Sequence, residues 1–159
     1  MTRAALVLAL ILTSRPVAAD VDTLTSRLAL ASGQPYERAA EVVREARSAL
    51  DEQGQPDEAL PFVLAIGARE SNLSRSLEKC ERFGLNGAIG VYQAERYLSA
   101  LDRLCKGGLR AQTRQAVLHL TRWCRRDSWR ARVACYAARK DDDALVTDRL
   151  ALAAELGAP

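Results

Sequence analysis

Residues 59–66 read ALPFVLAI, an almost unbroken apolar run, and Gly67-Ala68 prolongs it before Arg69-Glu70-Ser71-Asn72 ends it. A run that is apolar nearly all round cannot lie on a surface; it folds where other elements cover every side. Pro56-Asp57-Glu58 opens it, with carboxylates well placed for the positive end of a helix dipole. The run is therefore expected to be the central buried helix of its domain, ending near Ser71. The rest of the chain has to supply its cover.

That cover reads as helical. Aromatic residues make up only 5% of the chain, and Ala, Leu, Arg and Glu dominate over β-branched types. Ala39, Val42, Val43, Ala46 and Leu50 recur at helical spacing within residues 36–52, between Pro35 and Gly54. Residues 73–90, LSRSLEKCERFGLNGAIG, read as a long irregular stretch, which in a compact domain is functional or pinned by a crosslink. Further helices are expected at about 92–104, 112–125 and 129–139. Gly107-Gly108 and Arg126-Asp127-Ser128 are the breaks, and Asp127 or Ser128 caps the third helix. The tail, 141–156, begins with three aspartates and continues as an amphipathic helix through Leu145, Leu150, Leu152 and Leu156. The expectation is one all-α domain over residues 20–159.

The start of the chain reads as a signal peptide, residues 1–19. Arg3 precedes a short apolar stretch, AALVLALIL, and small residues stand at Val17 and Ala19, with cleavage after Ala19. No second span follows, so the mature chain is expected in the periplasm or outside the cell. There an even set of cysteines, Cys80, Cys105, Cys124 and Cys135, points to two disulfides, with three pairings open. A metal site is not expected: no cysteine pair has the close spacing of a zinc ligand set, and His119 is the only histidine. His119 is read as structural.

Charge is unevenly spread. Residues 103–140 hold eleven basic residues and one acidic, whereas the flanking segments 20–102 and 141–159 are net acidic. A block of this kind is either a solvated helical face or a surface for an anionic polymer. Outside the cytoplasm that polymer is cell wall or an acidic lipid surface, not nucleic acid.

Glu70 lies four residues after Ile66 and seven after Val63, on one helical stripe. A carboxyl on a buried stripe loses hydration, which disfavours its charged form and suits a general acid. The bland alternative is a surface ion pair with Arg69 or Arg75. Trp123 and Trp129 could stack on sugar faces, but in arginine-flanked helices they are read as core residues.

The segments ARESNLS (68–74), GAIGVYQ (87–93) and WRARVACYAA (129–138) together resemble the lytic transglycosylase SLT family and its goose-type lysozyme relatives. The matching features are the Glu70-Ser71 pair ending a buried helix, the loop Gly87-Ala88-Ile89-Gly90-Val91-Tyr92-Gln93, and Tyr136 in an alanine-rich helix. The resemblance spans about residues 59–138. It implies a small lysozyme-like domain, monomeric and without metal or organic cofactor, that binds peptidoglycan glycan strands. It also implies Glu70 as the single catalytic acid/base cleaving the MurNAc–GlcNAc bond to a 1,6-anhydro end. No second carboxylate is then required, in contrast to most glycoside hydrolases. Ser71, Gly87, Gln93 and Tyr136 would line the substrate, with the Tyr136 hydroxyl directed at Glu70. The chain departs from the family pattern at Ala137, where asparagine is usual, at Arg139, where glycine is usual, and at Tyr92. Three readings stay open beside this one: a hydrolytic lysozyme, with Glu78 or Glu81 positioning water; a wall-binding protein with a degraded site; and a cationic membrane-active protein.

Overall fold

The computed structural model describes residues 20–84, 88, 90–93, 98–138 and 143–159, with the backbone alone at 98–101. The signal peptide, Gly87 and Arg139 lie outside these residues. Two disulfides and an all-helical chain are observed, with no strand among the described residues. The elements are α1 (Val21–Ser32), α2 (Tyr36–Glu52), a 3-10 turn (Asp57–Ala59), α3 (Leu60–Ser71), the single-turn α4 (Arg75–Glu78), α5 (Leu98–Leu118), a π-helical turn (His119–Trp123), α6 (Trp129–Tyr136) and α7 (Ala144–Glu155).

Helix α3 is the central one, as its sequence demands. Every residue from Leu60 to Ala68 is buried, and α1, α2, α6 and α7 pack around it. The five apolar residues anticipated in α2 are all fully buried. Helix α1 is absent from the sequence reading. Its stripe is Leu24, Leu28 and Ser32 at four-residue spacing, with Thr25 beside it, all buried. Two of the four are hydroxyl residues, which hides the apolar periodicity. Ser32 satisfies its hydroxyl on the Leu28 carbonyl at 2.7 Å.

The expected break at Gly107-Gly108 is confined to one residue: Gly108 has φ 55° and ψ −150°, and helix resumes at once, so α5 runs from 98 to 118. Beyond it the helix widens. The Cys124 N–H bonds back to the His119 carbonyl at 2.8 Å, five residues away. Ser128 caps α6 by accepting from the Ala131 N–H at 3.2 Å, and Asp143 caps α7 through the Leu145 N–H at 2.8 Å.

The disulfides pair Cys80 with Cys105 and Cys124 with Cys135, at Cα separations of 5.7 and 5.6 Å. The first pins the irregular stretch after α3 to α5; the second ties the end of the π turn to α6. Loops of this length correspond to roughly 3 kcal/mol of stabilisation each. Among the described residues no helix is long and apolar enough to cross a membrane.

Candidate functional site

Glu70 sits on the last turn of α3, and its carboxylate accepts from the Arg149 guanidinium of α7 at 2.5 Å. The side chains are 19% and 8% exposed, so the pair is largely removed from water. One residue earlier, Arg69 meets Asp148 at 3.0 Å, in a more exposed pair. Consecutive residues Arg-Glu on α3 thus meet consecutive residues Asp-Arg on α7 with opposite charges facing. The partner of Glu70 is thus neither Arg69 nor Arg75, the two arginines named for a surface ion pair, and Arg69 is itself engaged with α7. Arg149 escaped the sequence reading because it lies in a tail read only for its leucines. The signal was present in the complementarity of RE at 69–70 and DR at 148–149.

The backbone leaves α3 abruptly. Asn72 and Leu73 both have positive φ, 50° and 55°, conformations that non-glycine residues rarely adopt and that cost of order 1–3 kcal/mol each. Asn72 caps the helix on the Ala68 carbonyl at 2.9 Å. Leu73 is fully buried, and its carbonyl accepts from Arg38 Nε at 2.9 Å. Arg38, itself 2% exposed, also pairs with Glu41 at 2.9 Å and Glu78 at 2.6 Å. Burial pushes the Glu41 carboxyl up, but the hydrogen bond and charge of Arg38, with Arg75 and Arg44, outweigh it and leave it below the usual range. Glu78 is thus paired with Arg38 through one carboxylate oxygen. Glu81 is exposed.

The glycine loop reaches α3 through Tyr92. Its side chain is fully buried, and a β-carbon on Gly67 would lie 2.9 Å from its ring. Gly67 is what lets the ring lie against the helix, one turn before Glu70. Burial lifts the Tyr92 hydroxyl to about 12, with the Thr113 hydroxyl drawing it the other way. The loop is held from beneath by Gln112, which is 2% exposed. Its carbonyl accepts from the Val91 N–H at 2.9 Å, and its amide donates to the Glu78 carbonyl at 2.7 Å and the Leu104 carbonyl at 3.2 Å. Gly90 has φ 74°, and any β-carbon there would overlap the Gln112 amide. Gln112 is a second residue the sequence reading missed; nothing in a glutamine amid a helix marks it.

The remaining site residues fall as follows. The Ser71 hydroxyl donates to the Gly67 carbonyl at 3.1 Å, within its own helix. Gln93, with φ 50°, donates its side-chain amide to the Gly90 carbonyl at 2.7 Å. The Tyr136 hydroxyl donates to the Tyr92 carbonyl at 2.9 Å. This corrects the expectation that it would be directed at Glu70: the loop carbonyl accepts its hydrogen bond instead. Tyr136 is nevertheless close enough to feel Glu70. Burial drives its hydroxyl well above the ordinary tyrosine value, and the Glu70 charge adds to the rise. His119, half-buried, packs on Tyr136 at 4.9 Å and on Trp123 at 5.5 Å between ring centroids.

Trp129 is partly buried and packs against the core, stacked on Phe62 at 4.3 Å, with the Arg132 guanidinium 4.6 Å from its ring centroid. Trp123 is not: it is 55% exposed. The π turn shifts the helical register by one residue and rotates it outward. It is the one large hydrophobic side chain exposed among the described residues of the basic segment, which leaves that segment without the continuous apolar face a membrane-active helix needs.

Glu70, Arg149, Tyr136 and the turn at Gly90–Gln93 thus converge at one end of α3, from four separate parts of the chain. Comparison with protein-family models, curated proteins and solved structures finds no match for this chain.

Proposed function

We propose that the protein is a peptidoglycan lytic transglycosylase of lysozyme-like type, exported from the cytoplasm, with Glu70 as its acid/base. The observation that carries this reading is the bond from Tyr136 to the Tyr92 carbonyl at 2.9 Å. It joins the third sequence segment of the resemblance to the second, while the Tyr92 ring rests on Gly67 beside the first. Three short segments scattered over some 70 residues of sequence thereby meet around one carboxyl group. Strained backbone supports the same place: Asn72, Leu73, Gln93 and Ala138 all have positive φ, and such residues gather at functional sites. The two disulfides accord with an exported chain.

In this reading Glu70 donates its proton to the oxygen between MurNAc and GlcNAc, and the C1–O bond of the muramyl residue breaks. Charge developing at C1 is held by the sugar's own acetamido group. The Glu70 carboxylate then removes the C6 hydroxyl proton as O6 bonds to C1, which regenerates the acid and consumes no water. Arg149 is the counter-ion for Glu70 in its carboxylate state, the state that collects the second proton. Tyr136 and Tyr92, both protonated at neutral pH, fix the loop at which the glycan would lie.

One observation favours a second reading. A carboxylate already satisfied by a buried arginine suits a wall-binding protein that performs no chemistry. Incubation of purified peptidoglycan with the mature protein and with Glu70→Gln separates the two. Soluble fragments released by the wild type and not by the variant support the enzyme; no release by either supports the binding protein.

A further inference from the structure

A concentration of positive charge lies away from Glu70. A cavity of about 640 Å³ opens where the residues preceding α3 meet the π turn and α6, lined among others by Gln53, Gln55, Glu58, Arg122, Arg125 and Arg132. Leu60 and Glu70 are ten residues apart on α3, so this mouth is about 15 Å along the helix from the carboxyl group. Arg122 and Arg125 are exposed, and neither they nor Arg132 has an acidic partner among the described residues. Glu58 alone opposes them in the lining. Three guanidinium groups around a concavity leave a positive field unspent.

The polymer proposed as substrate narrows the ligand. A glycan held at Glu70 carries its anionic groups as carboxylates of the peptides that hang from it, and guanidinium groups about 15 Å away along α3 are placed to meet them.

We infer that this cavity is a binding site for an acidic peptide, and, resting on the function proposed above, for the stem peptides that hang from peptidoglycan glycan strands. The carboxylates pair with Arg122 and Arg125. Arg132 is the less mobile wall, its Nε bonded to the Arg126 carbonyl at 2.9 Å and its guanidinium over Trp129. The site would hold a strand by its peptides while Glu70 meets the glycan at the other end of α3.

The test is calorimetric titration of the Glu70→Gln protein, with and without Arg122→Gln/Arg125→Gln, against four probes: muropeptides with intact stems, the same glycans stripped of peptide, inorganic phosphate, and vesicles of anionic phospholipid. The expected result is binding of the intact muropeptides, weakened roughly tenfold or more by the double substitution and by raised salt. The stripped glycans should bind independently of the two arginines. Unchanged melting temperature shows that the fold is intact. Equal affinity of the double variant for intact muropeptides overturns the inference, as does arginine-dependent binding of phosphate or vesicles as tight as that of the muropeptides. Because binding is read on a protein lacking the Glu70 carboxylate, loss of the enzymatic reading leaves this result standing. Loss of the peptide site likewise leaves cleavage of stripped glycans untouched.

Discussion

Removing Arg149 tests the ion pair on which the candidate site is built. Arg149→Ala deletes the 2.5 Å contact to Glu70 and the 2.7 Å bond from the guanidinium to the Leu145 carbonyl. Breaking a fully buried pair by taking away one partner costs about 3–5 kcal/mol. Glu70 retains about a fifth of its exposure, so water can re-solvate it in part and the cost should fall to roughly 2–3 kcal/mol. Glu70→Gln keeps the shape and one acceptor and should cost about 1–2 kcal/mol. In the double variant the stranded charge no longer exists, so the combined cost should fall short of the sum by about 1 kcal/mol or more. The assay is urea unfolding followed by far-ultraviolet circular dichroism at pH 7, with disulfides intact. Costs of the two single variants that add within error would refute the pairing and with it the role given to α7.

Gly67→Val should cost about 1–3 kcal/mol in the same assay, because its side chain overlaps the buried Tyr92 ring; a neutral effect would mean that the loop does not dock on α3. The Tyr92 hydroxyl is lifted from 10.0 to about 12 by burial, so its contribution is complete below pH 10 and is lost as pH rises toward 12. That loss amounts to roughly 3 kcal/mol in alkaline unfolding, and Tyr92→Phe should lessen the alkaline slope. Replacing Cys124 and Cys135 together by alanine should cost roughly 3 kcal/mol and bring the π turn and Trp123 into faster hydrogen exchange, measured by mass spectrometry.

What could be read from the sequence was what local pattern specifies. The apolar run announces α3, the spacing of Ala39, Val42, Val43, Ala46 and Leu50 announces α2, and the glycine pair marks the irregularity in α5. An even set of four cysteines points to two disulfides. Their pairing depends on which segments the fold brings together, so it could not be read. Helix α1 was hidden because Thr25 and Ser32 occupy buried positions, the Ser32 hydroxyl bonding to the Leu28 carbonyl of its own helix. The outward turn of Trp123 depends on a one-residue widening that no composition signals. At the site, Glu70 and Tyr136 stand out by residue type, whereas Arg149 and Gln112 act through partners 79 and 21 residues away. For Arg149 the complementary pairs RE and DR are in the sequence, but which segments meet is decided by the packing of α7 on α3.

The central claim is that Glu70 cleaves the glycan without water. Digestion of peptidoglycan in water enriched in oxygen-18, followed by mass analysis of the fragments, tests it most directly. The account predicts muropeptides lighter by one water than hydrolysis products and free of the heavy isotope, absent with Glu70→Gln. Reducing-end fragments that carry oxygen-18, or undiminished cleavage by the variant, would contradict it.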